Sequence, residues 1–189
     1  MVEILPLRRA PHAGLSLVAD ERSVRLEGID GVSRFSVRGD AEAAEKIGQV
    51  FGVSLPMQPW RSGANGTRAA LWLGPDEWLL FADEREADAV TAQVAAAMGE
   101  TPYSWVDVSH RNAGFLLRGP HVTDVLNAGC PLPLSLAAFP VGKCTRTLLG
   151  KAEIVLWRTG ETEFRIEVWR SFAAYVAEFI AEAAREHMV

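Results

Sequence analysis

Phe35-Ser-Val-Arg-Gly-Asp40 and Phe115-Leu-Leu-Arg-Gly-Pro120 are the two segments on which the reading of this chain turns. Each alternates in the manner of a half-buried strand, runs into a glycine and is followed by a helix signal. After the first, Asp40 is a good N-cap, and Ala43, Ile47, Val50 and Phe51 fall on one helical face that Gly52 would end. After the second, Pro120 suits a first helical position, Val122, Val125 and Leu126 form a short apolar stripe, and Gly129 closes it. Both helices lead into a proline-bearing turn, Leu55-Pro56 and Pro131-Leu-Pro133, then into strands rich in tryptophan and leucine and an alanine-rich amphipathic helix. The order of elements between Arg34 and Met98 is thus repeated between Trp105 and Ala184. The predicted fold class is α+β, built from duplicated β-α-β-β-α (ferredoxin-like) units, each a sheet covered on one face by two helices.

Working outward, Ser23 to Glu27 reads as a further strand before the Gly28-Ile-Asp-Gly31 turn. Residues 1–20 mix Pro6, Arg8, Arg9, Pro11 and Gly14 with isolated leucines and read as an extended N-terminal arm. Residues 21–189 read as one compact domain of two pseudo-repeats, about 21–104 and 105–185. Residues 56–67 form a long surface loop carrying Trp60, which is either tucked onto its own domain or offered to a partner. Ala69 to Leu73 and Trp78 to Ala82 flank Gly74-Pro-Asp-Glu77 as a hairpin, and a helix follows over about Arg85 to Met98. Trp105 to Arg111 is a strand candidate that opens the second unit. Thr145 to Leu149, Glu153 to Arg158 and Phe164 to Trp169 then make a three-stranded meander, and Ser171 caps a last helix whose apolar face holds Phe172, Tyr175, Val176, Phe179 and Ile180.

Composition limits the function classes. A chain of 189 residues, 49% hydrophobic, supports one sizeable core or two small subdomains sharing a core. The net charge of -5 and pI near 5.4 supply no basic field, which argues against nucleic acid as a partner. No apolar run approaches the ~18 to 20 residues of a membrane span, and the start lacks a signal-peptide order, so the expectation is a soluble cytoplasmic chain without a membrane partner. Cys130 and Cys144 lie at no metal or redox spacing and read as free thiols. His12, His110, His121 and His187 are scattered, so no metal site is expected.

Catalytic letters occur together only in Asp107, Ser109 and His110. In a strand, Asp107 and Ser109 project to one face and His110 to the other, so the three form no linear relay, and the better reading is that Asp107 and Ser109 satisfy backbone groups at a strand end. Gly39 and Gly119 belong to no phosphate-binding motif. No catalytic or cofactor-binding residue is therefore assigned. Trp72, Trp78, Trp157 and Trp169 lie in strands as sheet-face anchors, whereas Trp60 with Arg61, and Trp105 with Arg111, are the candidates for a partner interface.

Val106-Asp-Val-Ser-His110, Gly114-Phe-Leu-Leu-Arg-Gly-Pro120, Gly142-Lys-Cys-Thr-Arg-Thr-Leu-Leu149 and Glu163-Phe-Arg-Ile-Glu167 together resemble the folate-binding fold of the glycine-cleavage T-protein. Within that superfamily, the hairpin Leu73-Gly-Pro-Asp-Glu-Trp-Leu-Leu80 and the run Leu148-Leu-Gly-Lys-Ala-Glu-Ile154 are similar to the gamma-subunit family of heterotetrameric sarcosine oxidase, over roughly residues 20 to 185. The resemblance implies a noncatalytic accessory subunit. It also implies alpha, beta and delta subunits as partners, the alpha subunit foremost. FAD, FMN, NAD, zinc and tetrahydrofolate would sit on those other subunits, in a complex that demethylates sarcosine to glycine and forms hydrogen peroxide. The acidic groups of folate-using members are reduced here to Ala152-Glu153, which removes pterin specificity more than packing. The competing expectation is a free-standing folate-binding protein or one-carbon transferase.

Overall fold

The computed structural model describes residues 24–187; the expected N-terminal arm, residues 1–20, lies outside them. Among the described residues, ten strands form two antiparallel five-stranded sheets. The first unit comprises β2 (Val32–Gly39), α1 (Ala41–Phe51), β3 (Ser62–Asn65), β4 (Arg68–Gly74), β5 (Glu77–Asp83), α2 (Ala87–Met98) and β6 (Tyr103–Asp107). Its sheet runs β3-β4-β5-β2-β6. The second comprises β7 (Asn112–Arg118), α3 (Val122–Asn127), β8 (Cys144–Leu149), β9 (Ala152–Gly160), β10 (Glu163–Trp169) and α4 (Ala173–Ala184). Its sheet runs β1-β7-β10-β9-β8, where β1 is Arg25–Ile29.

The duplication extends to single residues. Arg38 on β2 pairs in register with Glu77, and Arg118 on β7 pairs in register with Glu163. Both glutamates close a Gly-x-x-Glu hairpin, Gly74 to Glu77 and Gly160 to Glu163, and a register shift falls beside each turn. Both hairpins then run into a one-turn 3-10 helix ahead of the long helix, Glu84–Glu86 before α2 and Arg170–Phe172 before α4. The backbone that launches each turn is nearly the same, φ -59°, ψ 138° at Asp83 and φ -60°, ψ 136° at Trp169.

The expected boundary between the halves lies at residue 104/105. It falls inside β6, which hydrogen-bonds to β2 in the first sheet, while β1 pairs with β7 in the second. The fourth strand of each ferredoxin-like unit therefore comes from outside its expected half. β1 and β2 are joined only through Asp30 and Gly31, the latter at φ 68°, so the chain passes from one sheet to the other in a single tight turn. The loop at 56–67 is also shorter than expected, because Ser62–Asn65 adds an edge strand to β4.

Local chemistry fixes the helices as read. The Asp40 carboxylate accepts a hydrogen bond from the Ala43 N–H at 2.9 Å, and Gly52 ends α1 in the left-handed region at φ 74°. α1 and α2 cover the outer face of the first sheet, burying Ile47, Phe51, Val90 and Val94 against Trp78 and Leu80. α3 and α4 cover the outer face of the second, burying Val125, Val176 and Ile180 against Phe115, Phe164 and Ile166. The inner faces meet through Ala69, Leu71, Leu79, Phe81 and Cys144, with Val155 and Trp157 packed against them. Strands β4 and β5 are thus buried on both faces, which is why Leu79, Leu80 and Phe81 run without polar interruption.

Gly114 on β7 faces this junction, and a Cβ there would stand 2.5 Å from Arg34 Nη2 and 2.7 Å from Glu167 Oε1. Gly114→Ala is expected to destabilise the chain by about 1–3 kcal/mol through overpacking of a buried ion pair. A lower urea midpoint with an unchanged slope checks this; an unchanged midpoint would show that the ion pair yields freely.

Candidate functional site

The seam between the two sheets gathers most of the buried charge. In a half-buried sheet the alternate positions on β2 and β10 would face water, but here they face the partner sheet. Arg34 and Glu167 are accordingly 4% and 2% exposed. Arg34 Nε donates to Glu167 Oε2 at 2.5 Å, and Arg165 donates to Glu167 Oε1 through Nε at 2.9 Å and Nη2 at 2.7 Å. The Arg165 guanidinium also lies 3.7 Å from the centre of the Phe81 ring in the facing sheet. Burial pushes the Arg165 pKa down, and the Glu167 charge and hydrogen bonds oppose that shift.

Beside this triad the seam leaves a partly open cavity of about 40 Å³, bordered by Asn112, Arg111, Arg146, Glu153 and Glu167. That is room for water, against roughly 300–1,000 Å³ for a small-molecule pocket. The Arg146 guanidinium on β8 crosses the seam to the Glu77 carboxylate, with one hydrogen bond at 3.1 Å, and holds the Glu77 pKa below its ordinary value. Cys144 is fully buried at the centre, where its thiol donates to Arg61 O at 3.3 Å. Burial pushes that thiol up to about 12, weakly opposed by a backbone hydrogen bond at Trp72.

The sequence-derived candidates fall in separate places. Trp60 is half exposed and adopts φ 63°, rare for a bulky residue, with Lys143 Nζ 5.0 Å from its ring centre. The next residue, Arg61, bridges to Lys143, and Cys144 N–H donates to Trp60 O at 2.9 Å, so this corner ties the two sheets edge to edge. Arg111 lies over Trp169 at 5.1 Å, in a shallow depression shared with His110, Arg170 and Ser171. Trp105 packs against the core of the first unit. It is half-buried, stacks on Phe35 at 4.5 Å and donates to Thr91 Oγ1 at 3.1 Å, because β6 belongs to the first sheet.

Asp107 accepts from both the N–H and hydroxyl of Ser109, and Ser109 Oγ accepts the Arg34 N–H at 2.9 Å. The Asp-Val-Ser-His segment is thus the corner where the chain crosses from β6 to β7, with Val108 N–H donating to Arg34 O at 2.8 Å. Sequence reasoning missed Arg34, Arg165 and Glu167. Their signal was three charges on strands that also carry the core. It also took the histidines as scattered, whereas the fold brings His121 and His187 into ring contact.

The profile of the "Sarcosine oxidase, gamma subunit family" matches residues 37–186 of this chain. The chain belongs to that family. The sarcosine oxidase subunit gamma of Corynebacterium sp. (strain U-96) is 32% identical over 98% of this chain and 94% of its own length. A solved chain of the heterotetrameric sarcosine oxidase from Corynebacterium sp. U-96, in complex with pyrrole 2-carboxylate, matches with a TM-score of 0.89 and 31% identity over 97% of both chains. The aminomethyltransferase T of the glycine cleavage system from Bartonella henselae matches at a TM-score of 0.63 and 15% identity, covering 85% of this chain and 46% of that one, a likeness of fold alone. For the gamma-subunit family these two matches agree with the α+β fold read from the repeated strand-glycine-helix segments. Among the described residues no helix is long and apolar enough to cross a membrane.

Two outcomes are expected from the seam. Glu167→Gln strands two buried guanidiniums and should cost about 3–5 kcal/mol, whereas Arg146→Ala, on a more exposed pair, should cost under about 1 kcal/mol; urea unfolding of both variants checks the contrast. In native chain Cys144 should resist alkylation at about pH 9 and react once unfolded. Because an unfolded thiol ionises near its ordinary value while the folded one keeps its proton to about 12, stability should fall as pH rises between those values. Peptide mapping after alkylation and alkaline unfolding curves test the two statements.

Proposed function

We propose that this chain is a noncatalytic subunit of a sarcosine-oxidising heterotetramer, held by a large partner subunit of the alpha type, with beta- and delta-type subunits completing the complex. The observation that carries the reading is a surface that leaves Met57, Trp60, Val106, Leu148 and Trp169 about half exposed, beside a cavity in the seam of about 40 Å³. A cavity of that size does not hold a pterin, and that many large apolar side chains in solvent are suited to burial against another chain. FAD, FMN, NAD, zinc and tetrahydrofolate belong on the other subunits in this reading.

Trp60, with Lys143 over its ring and the exposed Arg61 next to it in the chain, and Arg111 over Trp169 supply the aromatic and guanidinium anchors that interface cores favour. His110, in the depression beside Arg111, takes no part in turnover. The test is a tagged pull-down of the chain from its native host, read by flavin absorbance and sarcosine-dependent peroxide formation. A yellow, active co-eluate is expected; a colourless solitary protein that binds tetrahydrofolate would instead mark a free-standing folate-binding protein or one-carbon transferase.

In the isolated complex, Trp60→Ala combined with Arg111→Ala should weaken subunit association at least tenfold, measured by dissociation on dilution. His110→Ala should leave turnover unchanged. Full association in the double variant would remove these residues from the interface, and loss of turnover in an assembled His110→Ala complex would overturn the noncatalytic role.

A further inference from the structure

His121 precedes α3, Asp124 stands in the first turn of that helix, and His187 lies in the 3-10 turn Arg185–His187 that follows α4. Packing of α4 beside α3 on the second sheet brings the three side chains together. The two imidazoles are stacked, with centroids 4.6 Å apart and planes 11° from parallel. His121 Nδ1 lies 3.4 Å from Asp124 Oδ2. One ligand atom from each of the three residues falls within 4.8 Å of the others.

We infer that His121, Asp124 and His187 form a site for a first-row divalent cation of the zinc type. Two imidazole nitrogens and one carboxylate oxygen are the donor set that such ions take, and three protein ligands leave a position for water. With metal–ligand bonds of about 2.0–2.2 Å, ligand atoms of a tetrahedral site stand roughly 3.3 Å apart. The His121–Asp124 edge already has that length. The in-plane lone pairs of stacked rings do not converge on one ion, so the other edges close by rotation of His187 out of its stack on His121, from a 3-10 turn none of whose own residues is buried. His121 and Asp124 are 43% and 62% exposed at the side chain, so an ion reaches them from solvent without opening the core.

Binding would clasp the carboxy-terminal turn to the start of α3, joining two segments that otherwise meet through ring stacking and helix packing. The role is structural and involves no redox step. The thiols do not compete for the ion, since Cys130 and Cys144 are both buried.

The experiment uses the purified full chain stripped with EDTA, titrated with ZnCl2 in competition with a chromophoric chelator, alongside His121→Ala, His187→Ala and His110→Ala. One equivalent bound at micromolar or tighter affinity is expected in the wild type and in His110→Ala. A loss of at least tenfold is expected in each of the other two. Without zinc, His187→Ala should melt at the wild-type temperature, which separates lost ligation from lost folding, and zinc should raise the melting temperature of the wild type and of His110→Ala but not of His121→Ala or His187→Ala. Zinc binding that is absent, or equally strong in His121→Ala and His187→Ala, would reduce the cluster to a stacked histidine pair with a neighbouring carboxylate.

Discussion

Glu167 receives hydrogen bonds from two arginines, Arg165 on its own strand and Arg34 on the facing sheet, and the joining of the two sheets depends on that shared carboxylate. Two sheets that each cover one face with helices still have an inner face to satisfy. Here the answer is mixed: Leu71, Leu79, Phe81 and Cys144 exclude water from one part of the seam, and the charged triad occupies another. Taking three charges out of water is costly, so such a triad contributes little net stability while making any displacement of one sheet against the other expensive. Gly114 belongs to the same constraint, since only a residue without a side chain leaves room for the two charged heads.

The placement of β1 serves the same end covalently. It precedes the first unit along the chain yet completes the second sheet beside β7, while β6 completes the first sheet beside β2. The crossing points lie beside the triad. Val108, Ser109 and Arg34 are joined by main-chain and hydroxyl hydrogen bonds, which makes the segment Asp107 to Arg111 a corner that orients the Arg34 side chain. A segment whose letters resemble a catalytic relay is explained by geometry of this kind.

For this member of the sarcosine oxidase gamma subunit family, the consequence is a seam packed by its own side chains around Leu71, Phe81, Cys144 and Glu167. The corner at Trp60 illustrates how strain and surface coincide. A bulky residue at positive φ is tolerated there because the hydrogen bonds of Arg61, Ser62, Gly142 and Cys144 over-determine the backbone, and the ring is left in solvent over Lys143. Rigid presentation of a large aromatic side chain lowers the entropic cost of burying it against another chain.

The sequence by itself determined the local elements and the duplication. Asp40 and Gly52 bound α1 by capping chemistry, and Phe35 to Gly39 and Phe115 to Gly119 mark the opening strand of each unit by alternation, because both signals are read within a few residues of chain. Only the tertiary structure decided which sheet β1 and β6 join, that Trp105 turns inward, that Arg34, Arg165 and Glu167 meet, and that His121 reaches His187. A period of two assigns side chains to the two faces of a strand and is silent on what each face meets. A sheet face turned to a second sheet carries the same alternation as one turned to water, so partners distant along the chain become visible only when the layers are stacked.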